Sequence, residues 1–108
     1  MHTTYASLIS KVLSVSERQV LKTIELLETG ATIPFISRYR KEVTGGLDEV
    51  AIGEIKQQYV KLVGLSKRKE TILNSIEEQD KLTPELKKRI GDCWDSTELE
   101  DIYLPYKP

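Results

Sequence analysis

Three cations, Arg38, Arg40 and Lys41, stand close together beside Phe35 and Tyr39, and theirs are the residue types and spacing in this chain that could hold a ligand. Guanidinium forks match phosphate oxygens, and aromatic rings offer faces on which bases stack. On a helix starting at Ile33, Arg38 and Lys41 lie on one side, and Arg40 sits about 100° from Lys41, nearer Val43. Phe35 and Tyr39, four positions apart, border the charges. Arg38, Arg40 and Lys41 are therefore the candidate nucleic-acid contacts. A competing reading pairs Arg38 or Arg40 with Glu42, Asp48 or Glu49, or with another domain. Charge balance favours the competing reading: 16 Lys plus Arg against 17 Asp plus Glu leave a net charge of -1, so no broad basic field surrounds the three cations. The runs Lys67-Arg68-Lys69 and Lys87-Lys88-Arg89 read as solvated helix faces.

No other group of residues suggests chemistry. The phosphate-binding glycine loops, the H-E-x-x-H metal motif and the G-x-S-x-G nucleophile turn are all absent. Glu98 and Asp101 would share a helix face, but with Glu100 they read as capping and solvated acids. Cys93 has no second cysteine to pair with, and with one His it cannot close a zinc site without many carboxylates. It is expected as a half-buried helix thiol in a reducing compartment, and His2 is assigned no role. The expectation is a chain with no catalytic residues, no metal and no cofactor, hence not an enzyme. With no basic-then-apolar leader and no run of about 20 apolar residues, the expected location is the cytoplasm, without membrane contact.

At 108 residues, 39% apolar and 31% charged, the chain has the composition of one soluble domain with a modest core. The elements that must position the basic segment are helical. Tyr5, Leu8, Ile9, Val12 and Leu13 give an amphipathic helix from Thr4 to about Ser14 with one buried stripe. Ser16 and Gln19 form a capping box, with Val15 and Val20 placed as a staple, so a second helix starts at Glu17 and ends at Gly30. Thr32 caps a third, with Pro34 in its first turn and Ile33, Phe35, Ile36, Tyr39 and Val43 as its apolar face, and Gly45-Gly46 stops it.

Asp48 caps the next helix, in which no proline intervenes before Gln79. Some thirty residues of helix would run roughly 45 Å, longer than a domain of this size is wide. Its stripe is Ile52, Ile55, Tyr59, Leu62, Leu65, Ile72, Leu73 and Ile76, with Ser66 to Lys69 falling where the stripe should continue. Gly53 and Gly64 each cost about 1 kcal/mol against Ala in a helix. One long helix, bent near Gly64, is preferred to a hairpin there. Thr83-Pro84 starts a further helix with Leu86, Ile90, Cys93 and Trp94 inward. Thr97 and Glu100 read as a second capping box for a short helix burying Leu99, Ile102 and Tyr103. Residues Leu104 to Pro108 are expected to leave as an extended connector. The predicted class is all-α, a helical bundle over 1-103 followed by 104-108 as the start of a connector to a longer protein.

As a string, GATIPFISRYRKEVTGGLDE (Gly30 to Glu49) resembles the N-terminal signature of the bacterial Tex family, the transcription accessory proteins. RQV-x8-G from Arg18, RKETILNSIEEQDKLTPELKKRI from Arg68 and TELEDIYLPYKP from Thr97 resemble the same family, so the likeness covers nearly the whole chain. Gly53 and Gly64 depart from the charged and Leu-rich long helix of such proteins. The resemblance implies a helix-turn-helix-like element before Gly45, and, downstream in longer proteins, an RNase H-like domain, helix-hairpin-helix segments and an OB-fold RNA-binding domain. Two roles follow from the residues and the resemblance together, and the resemblance does not choose between them. One is a module bracing those domains, with part of the stripe from Ile52 to Ile76 exposed for them. The other is direct contact with DNA or RNA phosphates through Arg38, Arg40 and Lys41, for which three contacts give a salt slope of about -2.7.

Overall fold

A computed structural model describes residues 2-108. Among them all regular structure is helical: α1 His2–Leu13, α2 Glu17–Glu28, α3 Ile33–Tyr39, α4 Lys41–Thr44, α5 Glu49–Glu78, α6 Pro84–Asp92, α7 Ser96–Tyr103, and a 3-10 turn Leu104–Tyr106. The class is all-α, as expected, and α5 is one uninterrupted helix of 30 residues despite Gly53 and Gly64. The described residues form two compact units that divide within α5, one ending at Lys61 and the other Leu62–Pro108.

In the N-terminal unit the local signals fold as their chemistry requires. The Ser16 hydroxyl accepts from the Gln19 amide and the Gln19 side chain accepts from the Ser16 amide, closing the capping box. At the other end of α2 Gly30 takes φ +91°. Its amide donates to the Leu27 carbonyl while that of Ala31 donates to Leu26, the paired bonds that terminate a helix on a left-handed residue. Tyr5, Ala6 and Ile9 of α1, Val20 and Ile24 of α2, Ile36 of α3, and Ile52 and Ile55 of α5 supply the buried core of this unit. Each fully buried Ile contributes about 2 kcal/mol, more than a surface pair such as Lys22 with Glu25 at 3.8 Å. Val12, expected in the buried stripe of α1, is instead exposed.

His2 has more to do than its isolation in sequence suggested. Its Nε2 pairs with Glu28 Oε1, its ring meets Tyr59 edge-on, and the Tyr59 hydroxyl donates to the same Glu28 oxygen. Tyr5 also packs edge-on against Tyr59, ring centroids 5.7 Å apart. The hydrogen bond from Tyr59, helped by His2, holds the Glu28 carboxyl below its usual range. Burial, then the bond to Glu28, pushes the Tyr59 phenol up to about 12.

In the C-terminal unit the position where the α5 stripe seemed to lapse is filled by Lys69. Leu62, Leu65, Lys69, Ile72 and Ile76 follow one another at helical spacing, and all are buried. Lys69, 6% exposed, donates to the Gly91 carbonyl at 2.9 Å, near the end of α6, and places its ammonium 3.2 Å from the centre of the Trp94 ring. Burial pulls its pKa below the ordinary lysine value, with Cys93 and Asp92 acting in the opposite sense. Arg68, though 40% of its side chain is exposed, is also engaged. It grips Glu100 with two bonds of 2.8 and 2.7 Å and lies over Tyr103, while the Tyr103 hydroxyl donates to Ser75. That grip lowers the Glu100 pKa.

Four expectations are corrected here. Asp95, not Thr97, caps α7: its carboxylate accepts from the Thr97 amide, and an ionised oxygen two residues upstream displaces the weaker hydroxyl cap. Leu104 to Tyr106 is a 3-10 turn rather than an extended exit, because Pro105 falls in the first turn, where no amide proton is needed, and Gln79 Nε2 donates to the Tyr106 carbonyl at 2.7 Å. Cys93 is buried but closes α6 instead of lying within it. The stripe from Ile52 to Ile76, expected to be partly open to another domain, is buried within the chain at Ile52, Ile55, Leu62, Leu65, Ile72 and Ile76.

Lys69→Met keeps an unbranched apolar side chain at the buried position and removes a cation whose burial opposes its ionisation. It is expected to leave stability within about 1 kcal/mol of the parent or to raise it, whereas Lys69→Ala should lose about 1–3 kcal/mol in urea unfolding; equal losses would show that the charge itself is needed. Because the folded Lys69 binds its proton less tightly than the unfolded chain, its contribution to stability rises with pH up to 10.5. Tyr59 acts oppositely: its raised pKa makes stability fall as pH climbs from 10 towards about 12. Absorbance titration should show a late-ionising tyrosine signal that Tyr59→Phe removes.

Candidate nucleic-acid interface

The basic segment is not one helix. Arg40 leaves helical geometry at φ -131° and ψ 29°, so α3 ends at Tyr39 and α4 begins at Lys41. The hydrogen bonds show what changes: the Val43 and Thr44 amides both donate to the Arg40 carbonyl, and the Tyr39 carbonyl accepts instead from Arg40 Nη1 at 2.9 Å. Thr32 caps α3 as predicted, its hydroxyl accepting from the Phe35 amide. Gly45 at φ +73° ends α4, and Gln19 Nε2 reaches from α2 to the Thr44 carbonyl at 3.1 Å, tying the two helices together.

The break re-sorts the side chains. Ile36 alone of the expected α3 face is fully buried, while Phe35 is 39% and Tyr39 60% exposed. Their ring centroids lie 5.4 Å apart, and the Arg40 guanidinium sits over the Phe35 ring at 5.0 Å. The three predicted contacts thus divide. Arg40 is committed to Phe35 and to its own neighbour's carbonyl. Arg38 and Lys41, both exposed, line a shallow hollow of about 470 Å³ with Ser37, Asp48 and Glu49. Among the described residues neither Arg38 nor Lys41 forms an ion pair or side-chain hydrogen bond, so the expected pairing with Glu42, Asp48 or Glu49 is not made. Asp48 is engaged as the cap of α5, accepting from the Ala51 amide at 2.8 Å.

A model of the family described as Tex-like protein N-terminal domain matches residues 3–77. The chain belongs to that family. Among relatives of this Tex-like domain, the transcriptional accessory protein Tex of Neisseria gonorrhoeae is 48% identical over 94% of the chain, which spans 13% of that protein. Protein YhgF of Escherichia coli is 44% identical over the whole chain, which spans 14% of it. The human S1 RNA-binding domain-containing protein 1 is 34% identical over 78% of the chain and 8% of its own length. The chain therefore spans about one seventh of the bacterial relatives it matches.

Sequence reasoning did not find the side chains that do most of the polar work in the Tex-like domain. His2 with Glu28, and Arg68 with Glu100, lie 26 or more positions apart, and no local pattern signals such pairs. Among the described residues no group of three His, Cys, Asp or Glu side chains could hold a metal ion, and no helix is long and apolar enough to cross a membrane.

A methyl group at Gly45 would lie 2.9 Å from Gln19 Nε2, while one at Gly46, also left-handed at φ +87°, would meet nothing within 4 Å. Gly45→Ala should therefore lose about 1–2 kcal/mol and more than Gly46→Ala in chemical denaturation. Equal losses would mean that the Gln19 tie contributes nothing.

Proposed function

We propose that this chain is the N-terminal helical domain, 1-103 with 104-108 opening a connector, of a Tex-like transcription accessory protein, and that it braces the domains that follow it. The observation that carries the reading is the outward side of α5 in the N-terminal unit. Val50 and Val60 are 69% and 60% exposed there, although the apolar stripe of that helix is already buried. The relatives are about seven times longer than this chain, so a domain of this kind has further protein to meet, and Val50 and Val60 are apolar groups left for it to cover. The family resemblance gives the neighbours as RNase H-like, helix-hairpin-helix and OB-fold domains, in a cytoplasmic, non-catalytic role for this part.

A second reading rests on Arg38 and Lys41, two exposed cations without partners among the described residues: the domain itself touches DNA or RNA phosphates. With Arg40 engaged on Phe35, two phosphate contacts remain, which gives a salt slope of about -1.8 on duplex and about -1.4 on single strands, in place of the -2.7 of three duplex contacts.

The bracing reading is tested by mixing the chain, its valine methyls isotopically labelled, with gonococcal Tex lacking the part this chain matches. The expected result is selective change at the Val50 and Val60 signals and a rise in Tm, on the order of 4–8 °C per kcal/mol of binding, both lost in Val60→Asp. Unchanged valine signals and Tm at saturating partner would contradict it.

A further inference from the structure

The two exposed cations do not stand alone. Within the N-terminal unit, Arg40, Phe35 and Tyr39 form a continuous layer in which each group lies against the next: guanidinium on ring at 5.0 Å, ring beside ring at 5.4 Å with a tilt of 47°. Tyr39 ends the layer and is the more exposed of the two aromatic residues, at 60%. Arg38 and Lys41 flank it in sequence on either side of the break at Arg40. We propose that this surface binds a single-stranded polynucleotide, with one base stacked on Tyr39 and the adjoining phosphates held by Arg38 and Lys41. The proposal rests on the second reading above and states which form of nucleic acid that site would take.

One feature of the site opposes a duplex. Asp48 and Glu49 share the hollow with Arg38 and Lys41. A duplex lays two rigid rows of phosphates over such a surface, one of which would meet these acids, and like-charge approach cancels what two cations gain. A single strand carries one flexible row, can turn away from the acids, and exposes the π-faces that a duplex hides. Stacking on an aromatic ring supplies affinity without requiring a basic field, which suits a chain of net charge -1. It also gives a role to an aromatic pair that the core leaves half outside. Arg40, spread over Phe35 and bonded to the Tyr39 carbonyl, acts as the support that holds the platform rather than as a phosphate ligand.

The test is fluorescence anisotropy of the 108-residue chain with labelled 12-mers of uridylate and of deoxyuridylate, and with a 12-base-pair DNA duplex and a 12-base-pair RNA duplex, at 20 and 150 mM salt. The expected result is at least tenfold tighter binding of a single strand than of either duplex at 20 mM. Whichever of the two single strands binds better identifies the preferred sugar. Tyr39→Ala should weaken single-strand binding at least fivefold, Tyr39→Phe should restore it, and Arg38→Ala with Lys41→Ala should flatten the salt dependence. These side chains are exposed, and unchanged thermal melting by circular dichroism confirms that the variants fold. Duplex binding equal to or tighter than single-strand binding, or a Tyr39→Ala chain that binds as the parent does, overturns the single-strand inference and leaves phosphate contact standing. Absence of binding to all four probes at 20 mM overturns both and assigns the surface to protein.

Discussion

The buried stripe of α5 is the constraint on which everything else in this chain depends. Ile52 and Ile55 supply the N-terminal unit, and Leu62, Leu65, Lys69, Ile72 and Ile76 supply the C-terminal unit. A helix can serve both only if its hydrogen-bond ladder runs unbroken through Gly64 and if the position between Leu65 and Ile72 accepts burial. Lysine meets the second condition through its amphipathic build. Its methylene stem lines apolar neighbours, while the ammonium finds the Gly91 carbonyl and the Trp94 ring face. The arrangement has a balance to it. Burial disfavours the charge and lowers the pKa, against which Cys93 and Asp92 act, while the carbonyl and the ring give the ammonium its contacts.

Polar pairs then fasten the remaining helices to this frame. In the N-terminal unit Glu28 accepts from both His2 and Tyr59, and Gln19 serves twice, closing the cap of α2 with its oxygen and holding the Thr44 carbonyl with its nitrogen. In the C-terminal unit the fork of Arg68 on Glu100 fixes α7, and its planar geometry accounts for an arginine where the neighbouring position holds a lysine. Four of the cations thus fall into two groups. Arg68 and Lys69 are structural, whereas Arg38 and Lys41 remain outside both cores with no partner among the described residues.

Much of this was legible in the sequence. Capping chemistry is local, so Ser16 with Gln19, Gly30, Thr32, Asp48 and Thr83 each marked a helix end that the structure keeps. The family was legible too, from long words such as the one from Gly30 to Glu49. The break at Arg40 was not, because a seven-residue helix and a single turn share the periodicity of one longer helix, and the difference lies in which carbonyl the Val43 amide chooses. Lys69 was hidden for a related reason. A hydropathy pattern reads a side chain by its head group, and this one is buried by its stem. The pairing of acids with Arg68 and His2 depends on contacts between distant positions, to which spacing rules are blind.

Amide hydrogen exchange across α5 tests the account most directly, because the structural assignments follow from one continuous helix whose stripe includes Lys69. Amides from Gly64 to Lys69 should be protected as strongly as those of Ile72 to Ile76 in the same unit, with the protection around Lys69 reduced in Lys69→Ala. Rapid exchange at Gly64 to Arg68 in the parent chain would show that the helix opens there, and would contradict the assignment of Lys69 to the core.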